Sequence, residues 1–177
     1  LHGAVQTRLE ASGLAWSYIS PNSVMETSLL GFASTIRDFG CLFGISGPGR
    51  IGLVALQDVA DAAAAVLASP GHEHRDYQLT GPEALDLASV AMTFTRVLGR
   101  PVVYHDLSEL AFKDMLAPVL GLADADMELN ILCHLRCWRD GKADLVTDAF
   151  RELLGRGPTS LEAWIGQHRE VYSGVLI

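Results

Sequence analysis

Apolar and polar positions along the chain alternate between the short period of strands and the longer period of helices. Leu14-Ala15-Trp16-Ser17-Tyr18-Ile19 has the β-branched and aromatic content of a strand, and Ser20-Pro21-Asn22-Ser23 ends it with turn residues. Before it, residues 2–11 read as a helix with Val5 and Leu9 on one face, closed by Gly13. Residues 25–39 read as mainly helical, 40–50 as a glycine-rich loop and 51–56 as a second short strand. Val59, Ala63, Val66 and Leu67 mark a small-residue helix with Asp58 as its N-cap, ended by Ser69-Pro70-Gly71. A strand over 76–80, a helix over 87–98 and a strand over 101–105 follow. Beyond Ser108 the pattern is helical throughout, over 109–119, 126–139, 146–154 and 161–172, the last opened by a capping box of Thr159 and Glu162. Strands alternating with helices, then helices alone, predict an α/β fold.

Composition narrows the class. With 177 residues, 49% of them hydrophobic and 19% charged, the chain can bury a core of its own. Its apolar runs, such as 62–68, stop far short of the roughly 20 residues that span a bilayer. The net charge of −8 comes from 21 acids against 13 bases, and the bases are scattered. Nothing here matches a phosphate backbone, so neither nucleic acid nor membrane is an expected partner. Three cysteines, Cys41, Cys133 and Cys137, fit a reducing compartment, and the cytoplasm is the expected location. The chain opens at Leu1 on a helix with no strand before it, from which we expect further sequence upstream.

Candidate motifs are few. Gly47-Pro48-Gly49-Arg50-Ile51-Gly52 matches G-x-G-x-x-G, but a dinucleotide fingerprint needs a strand before the glycines and a helix after them. Here a strand-like run follows, so the glycines read as a turn. A typical short-chain reductase places a Lys four residues after a Tyr to tune its proton donor. Lys113 and Lys142 have Glu109 and Trp138 at those positions. Cys133 and Cys137 are spaced to share a helix face, yet two thiols fall short of a tetrahedral metal site, so they read as buried structural residues and His134 as no ligand. No G-x-S-x-G elbow is present. Asp58 and Asp61, then Glu83 and Asp86, read as helix N-terminal carboxylates. The segment after the first strand is the better candidate pocket, since it joins Asn22, Ser23, Met25 and Glu26 to Leu29, Leu30, Phe32, Phe39 and Phe43.

The order of 9–17, Ser20-Pro21, Gln57-Asp58-Val59-Ala60-Asp61 and Tyr77-Gln78-Leu79-Thr80-Gly81 resembles the NmrA-like branch of atypical short-chain dehydrogenase/reductases, including NAD(P)H azoreductase-like proteins. The resemblance covers nearly the whole chain and corresponds to that family's C-terminal half. It implies the second half of a Rossmann-like parallel sheet over 1–106 and a mostly helical substrate-binding cap over 107–177. It also implies that Pro21, Asn22, Ser23 and Val24 border the nicotinamide end of NAD(P). Met25, Glu26, Leu29, Phe32, Phe39 and Phe43, with the C-terminal helices, would shape the substrate pocket. The family's glycine loop for the dinucleotide has no counterpart here, so this chain alone is not expected to retain the cofactor. Ser20 and Gln6 stand where the family often carries Arg and Glu.

Three functions follow from the resemblance. The first is an NAD(P)H-dependent oxidoreductase for a small hydrophobic or aromatic substrate. The second is a redox-inactive relative that binds, cyclises or isomerises a small molecule, as a homo-oligomer covering its sheet edge. The third is an NAD(P)-sensing regulator. No catalytic residue is assigned by the sequence.

Overall fold

The computed structural model describes residues 2–120 and 124–173. Helix α1 (His2–Glu10) leads into β1 (Ser17–Pro21), which pairs in parallel with β6 (Arg75–Leu79) so that Ile19 faces Tyr77 and Pro21 faces Leu79. Tyr77 and Leu79 are buried while Asp76 and Gln78 are exposed, the alternation of a sheet with one covered face. That face is covered by α4 (Leu56–Ala68) and α9 (Ala149–Leu154), where Val54, Ala62, Tyr77, Leu79 and Phe150 form a small cluster. The fold is α/β, with short parallel strand pairs among helices.

A second parallel pair joins β2 (Ser23–Val24) to β5 (Leu53–Val54). A third joins β3 (Cys41–Gly44) to β8 (Val103–Asp106), so a strand lies where the sequence predicted only loop. The glycines flanking Cys41-Leu42-Phe43 mask a run whose Leu42 is fully buried. Within the predicted strand 51–56, Gly52 separates two short pieces, because β4 (Arg50–Ile51) runs antiparallel to β7 (Leu85–Asp86) while β5 joins β2. The helix predicted over 25–39 is likewise divided, into α2 (Met25–Leu29), a 3-10 turn at Leu30–Phe32 and α3 (Ala33–Phe39).

The larger cluster is built around α5 (Leu87–Leu98). Of its apolar residues at helical spacing, Leu87, Val90, Ala91, Phe94 and Leu98 are buried as the pattern predicts, and Val97 is half-buried. Asp86 caps the helix by accepting the Ser89 N–H at 2.7 Å, and Gly99 ends it at φ 72°. The same cluster takes in residues of α6 (Glu109–Leu120), α7 (Asp124–Met127), a π turn at Glu128–Leu132, α8 (Cys133–Arg139), α10 (Leu161–Gln167) and α11 (Arg169–Ser173), of which α10 and α11 pack on α5. The cluster draws on residues from both sides of residue 106.

Three expected caps are placed differently. Asp58 lies in the first turn of α4 rather than before it, is 1% exposed, and accepts from Thr159 N at 2.6 Å and from Arg156. It ties α4 to the loop before α10. That contact occupies Thr159, so the cap of α10 is Ser160, whose hydroxyl accepts from Ala163 N. Glu83 is exposed outside any helix. Leu67, expected on the packed face of α4, is 87% exposed. No described helix is long and apolar enough to cross a membrane.

Candidate functional site

Because β1 and β6 are parallel, both deliver their carboxyl ends to one edge, the place where open α/β sheets bind ligands. The chain leaving β1 is fixed there by three hydrogen bonds. Asn22 N–H donates to Leu79 O at 2.9 Å, Asn22 Nδ2 donates to Ala143 O at 2.9 Å, and Ser23 Oγ accepts from Trp138 Nε1 at 3.1 Å. Asn22, Ser23 and Val24 form the base of a cavity of about 520 Å³.

One wall is the face of α2 and its 3-10 extension that presents Thr27, Ser28, Gly31 and Phe32. The other combines Phe112 and Leu116 of α6 with Ile131, Leu135 and Trp138 from the π turn and α8, and adds the polar Asn130 and His134. Apolar and aromatic walls with a few polar groups suit a small organic molecule. Among the described residues, no Lys, Arg or Tyr lines this cavity. No group of His, Cys, Asp and Glu among them could hold a metal ion.

The second wall is braced from outside. Arg136 Nε donates to Glu109 Oε2 at 2.9 Å, the same guanidinium pairs with Glu128, and Lys113 lies 3.7 Å from Glu109. These contacts hold α6 to the π turn and α8. Hydrogen bonding from Arg136 keeps the Glu109 carboxyl below its usual range, and the two carboxylates raise the guanidinium in turn.

The residues singled out by sequence divide clearly. Asn22, Ser23, Val24 and Phe32 line the cavity, while Pro21 sits exposed at the end of β1. Met25 and Leu29 point the other way, each 1% exposed in the larger cluster. Glu26 is an anchor: Oε2 accepts the Leu56 N–H and Oε1 accepts Trp164 Nε1, both at 2.8 Å. Phe39 is 76% exposed, and Phe43 stacks on His105 at 5.4 Å. Cys133 and Cys137 are half-buried rather than buried, because the packed face of the π turn and α8 is Leu132, Leu135 and Trp138 and the cysteines flank it. Cys133 Sγ donates to Leu129 O.

The glycine triad has a packing explanation. A Cβ on Gly49 would lie 2.2 Å from Trp138 O, and one on Gly52 would lie 2.3 Å from Leu145 O. Those two glycines admit the backbone of Trp138 and of Leu145, so they are not free to cradle a pyrophosphate. Tyr104, which is half-buried, and the buried Tyr172 also lie outside the cavity lining. Burial, then Asp106, raises the pKa of Tyr104, while burial with the negative charge of Glu26 raises that of Tyr172.

No family model matches the chain. It is 37% identical over 134 residues to an NAD(P)H azoreductase from Xenophilus azovorans, covering 73% of this chain and 46% of that one. It is 30% identical over 162 residues to the (4-alkanoyl-5-oxo-2,5-dihydrofuran-3-yl)methyl phosphate reductase of Streptomyces griseus, covering 92% and 56%. Among solved structures it matches an NADPH-dependent quinone oxidoreductase from Escherichia coli complexed with NADPH, at 28% identity and a TM-score of 0.82 over 93% of this chain and 56% of that one. The chain spans about half the length of the curated relatives it matches.

Proposed function

From the chain's homology to NAD(P)H-dependent azoreductase and quinone oxidoreductase, reductases of Rossmann-like fold, we propose that it forms the substrate side of such an enzyme, acting on a small hydrophobic or aromatic molecule. The observation that carries this reading is the cavity at the carboxyl end of β1, with aromatic walls meeting at the base formed by Asn22, Ser23 and Val24.

Pro21, Asn22, Ser23 and Val24 are suited to border the nicotinamide end of a dinucleotide, because backbone at the end of a parallel strand lets a flat ring approach closely. Among the described residues the glycine triad does not suit a pyrophosphate, since Gly49 and Gly52 are closed off by the backbone of Trp138 and Leu145. When bound, a reduced nicotinamide supplies the hydride. The chain's own residues hold and shield the acceptor: Phe32, Phe112, Leu116, Ile131 and Leu135 exclude water, and Trp138, fixed to Ser23, sets the depth at which a ring comes to rest. The reading places the protein in the cytoplasm, where reduced dinucleotide is available.

The test is oxidation of NADPH by the full-length protein with quinone and azo acceptors. Turnover that falls when Phe112 is changed to Ala, through a raised KM, supports the reading. Tight NADPH binding with no oxidation by any acceptor would overturn it in favour of a redox-inactive sensor.

A further inference from the structure

Several polar side chains on the cavity are already engaged. Asn22 Nδ2 donates to Ala143 O, Thr27 Oγ1 donates to Val24 O at 3.0 Å, and Ser23 Oγ accepts from Trp138. Ser28, Asn130 and His134 have no hydrogen-bond partner among the described residues. Asn130, His134 and Trp138 succeed one another at intervals of four, the spacing that stacks side chains along one helix face. All three line the cavity. Asn130 and His134 are exposed and Trp138 is 7% exposed, so the column runs from the mouth to the floor. Arg136, two residues beyond His134, lies on the opposite flank and is held by Glu109 and Glu128. The column therefore stands on a wall fixed from behind.

We propose that Asn130 and His134 are the specificity-determining pair of this cavity, hydrogen-bonding the neutral carbonyl-type oxygen of a flat unsaturated ligand whose ring rests among Phe32, Phe112 and Trp138. The inference rests on the cavity being the substrate site. An amide and an imidazole both offer N–H donors to such an oxygen. A carboxylate or phosphate ligand is disfavoured, because no Lys or Arg among the described residues faces the cavity and the chain carries a net charge of −8. A wholly apolar ring gains no hydrogen bond from Asn130 or His134, so the pair separates ligands of one shape by their oxygen alone.

Calorimetric binding of naphthoquinone and of naphthalene to this chain tests the assignment. The unmodified chain binds naphthoquinone more tightly. Asn130→Leu and His134→Leu each lower that affinity about tenfold, the worth of one hydrogen bond, and leave naphthalene affinity unchanged. The naphthalene arm also shows that each variant is folded around its floor. Equal affinity of the unmodified chain for the two rings, or binding of neither, overturns the proposal, and an unchanged preference in either variant removes that residue from the pair. NADPH oxidation by the full-length protein is read separately. Its absence, with the preference lost in both variants, defeats the reductase reading and leaves this one standing. Its presence, with the preference kept, does the reverse.

Discussion

Phe94, Trp164 and Tyr172 meet edge to face inside the larger cluster, each at most 1% exposed, whereas Val5 and Leu14 beside the β1–β6 pair are 54% and 60% exposed. The three aromatic rings come from α5, α10 and α11, so that region is closed by residues distant in sequence. On the outer face of β1, Tyr18 donates its hydroxyl proton to Gln6 O on α1 at 2.9 Å and Ser20 Oγ donates to Asp76 Oδ1 on β6 at 2.6 Å, and neither side chain joins a buried cluster among the described residues. The difference shows where the cavity gets its rigidity. Its helical wall belongs to the closed cluster, and its base is tied to that wall through Trp138 and Asn22.

The largest expected effect tests the closed region. Trp164→Ala removes a fully buried ring and the donor to Glu26 Oε1, and it should cost about 3–5 kcal/mol in urea denaturation. A loss below about 1 kcal/mol would mean that the cluster is looser than the packing of α5, α10 and α11 implies. Next comes the junction between the two regions. Gly49→Ala puts a Cβ 2.2 Å from Trp138 O, so the loop or α8 must shift, at about 1–3 kcal/mol. Binding of an aromatic ligand should weaken with it. A stable variant with unaltered ligand binding would show that Gly49 is free for another role.

These two sites also show what the sequence made legible. The periodicity of α5 was readable because every residue on its buried face except Thr93 is apolar and the cap and terminating glycine flank it. The base of the cavity was readable for a similar reason, since turn residues after a strand mark the carboxyl end of β1. The other wall was not. Asn130, His134 and Trp138 reach the cavity through contacts more than a hundred residues distant, such as Trp138 to Ser23, and no local spacing announces such a meeting. Strand β3 was hidden because Cys41-Leu42-Phe43 lies between glycines and finds its partner only at Val103–Asp106. Met25 and Leu29 were misplaced because helical period identifies an apolar face without saying whether it looks into core or cavity.

A smaller effect separates the braced wall from the closed core behind it. Hydrogen bonding from Arg136 depresses the Glu109 pKa, so its contribution is complete above the usual carboxylate range and is lost as pH falls through the depressed value. Glu109→Gln should therefore lower Tm at neutral pH by an amount that shrinks steadily below about pH 4, the ordinary range for this group. A difference in Tm that does not change with pH would remove the ion pair from the account of the wall.

The smallest effect is expected at the open region, and it decides whether the comparison is sound. Leu14 follows α1 on a segment held by short-range hydrogen bonds, including Leu14 N–H to Ser12 Oγ at 3.2 Å, and its side chain meets little of the rest of the chain. Leu14→Ser removes apolar surface that is already largely in water, so stability of this chain should change by no more than about 0.5 kcal/mol. A loss beyond about 1 kcal/mol, approaching that of a buried methyl-rich side chain, would show that α1 and the outer face of β1 pack more tightly than their exposure indicates. In that case both sides of the cavity would share one degree of closure, and the rigidity of its base would no longer depend on Trp138 and Asn22 alone.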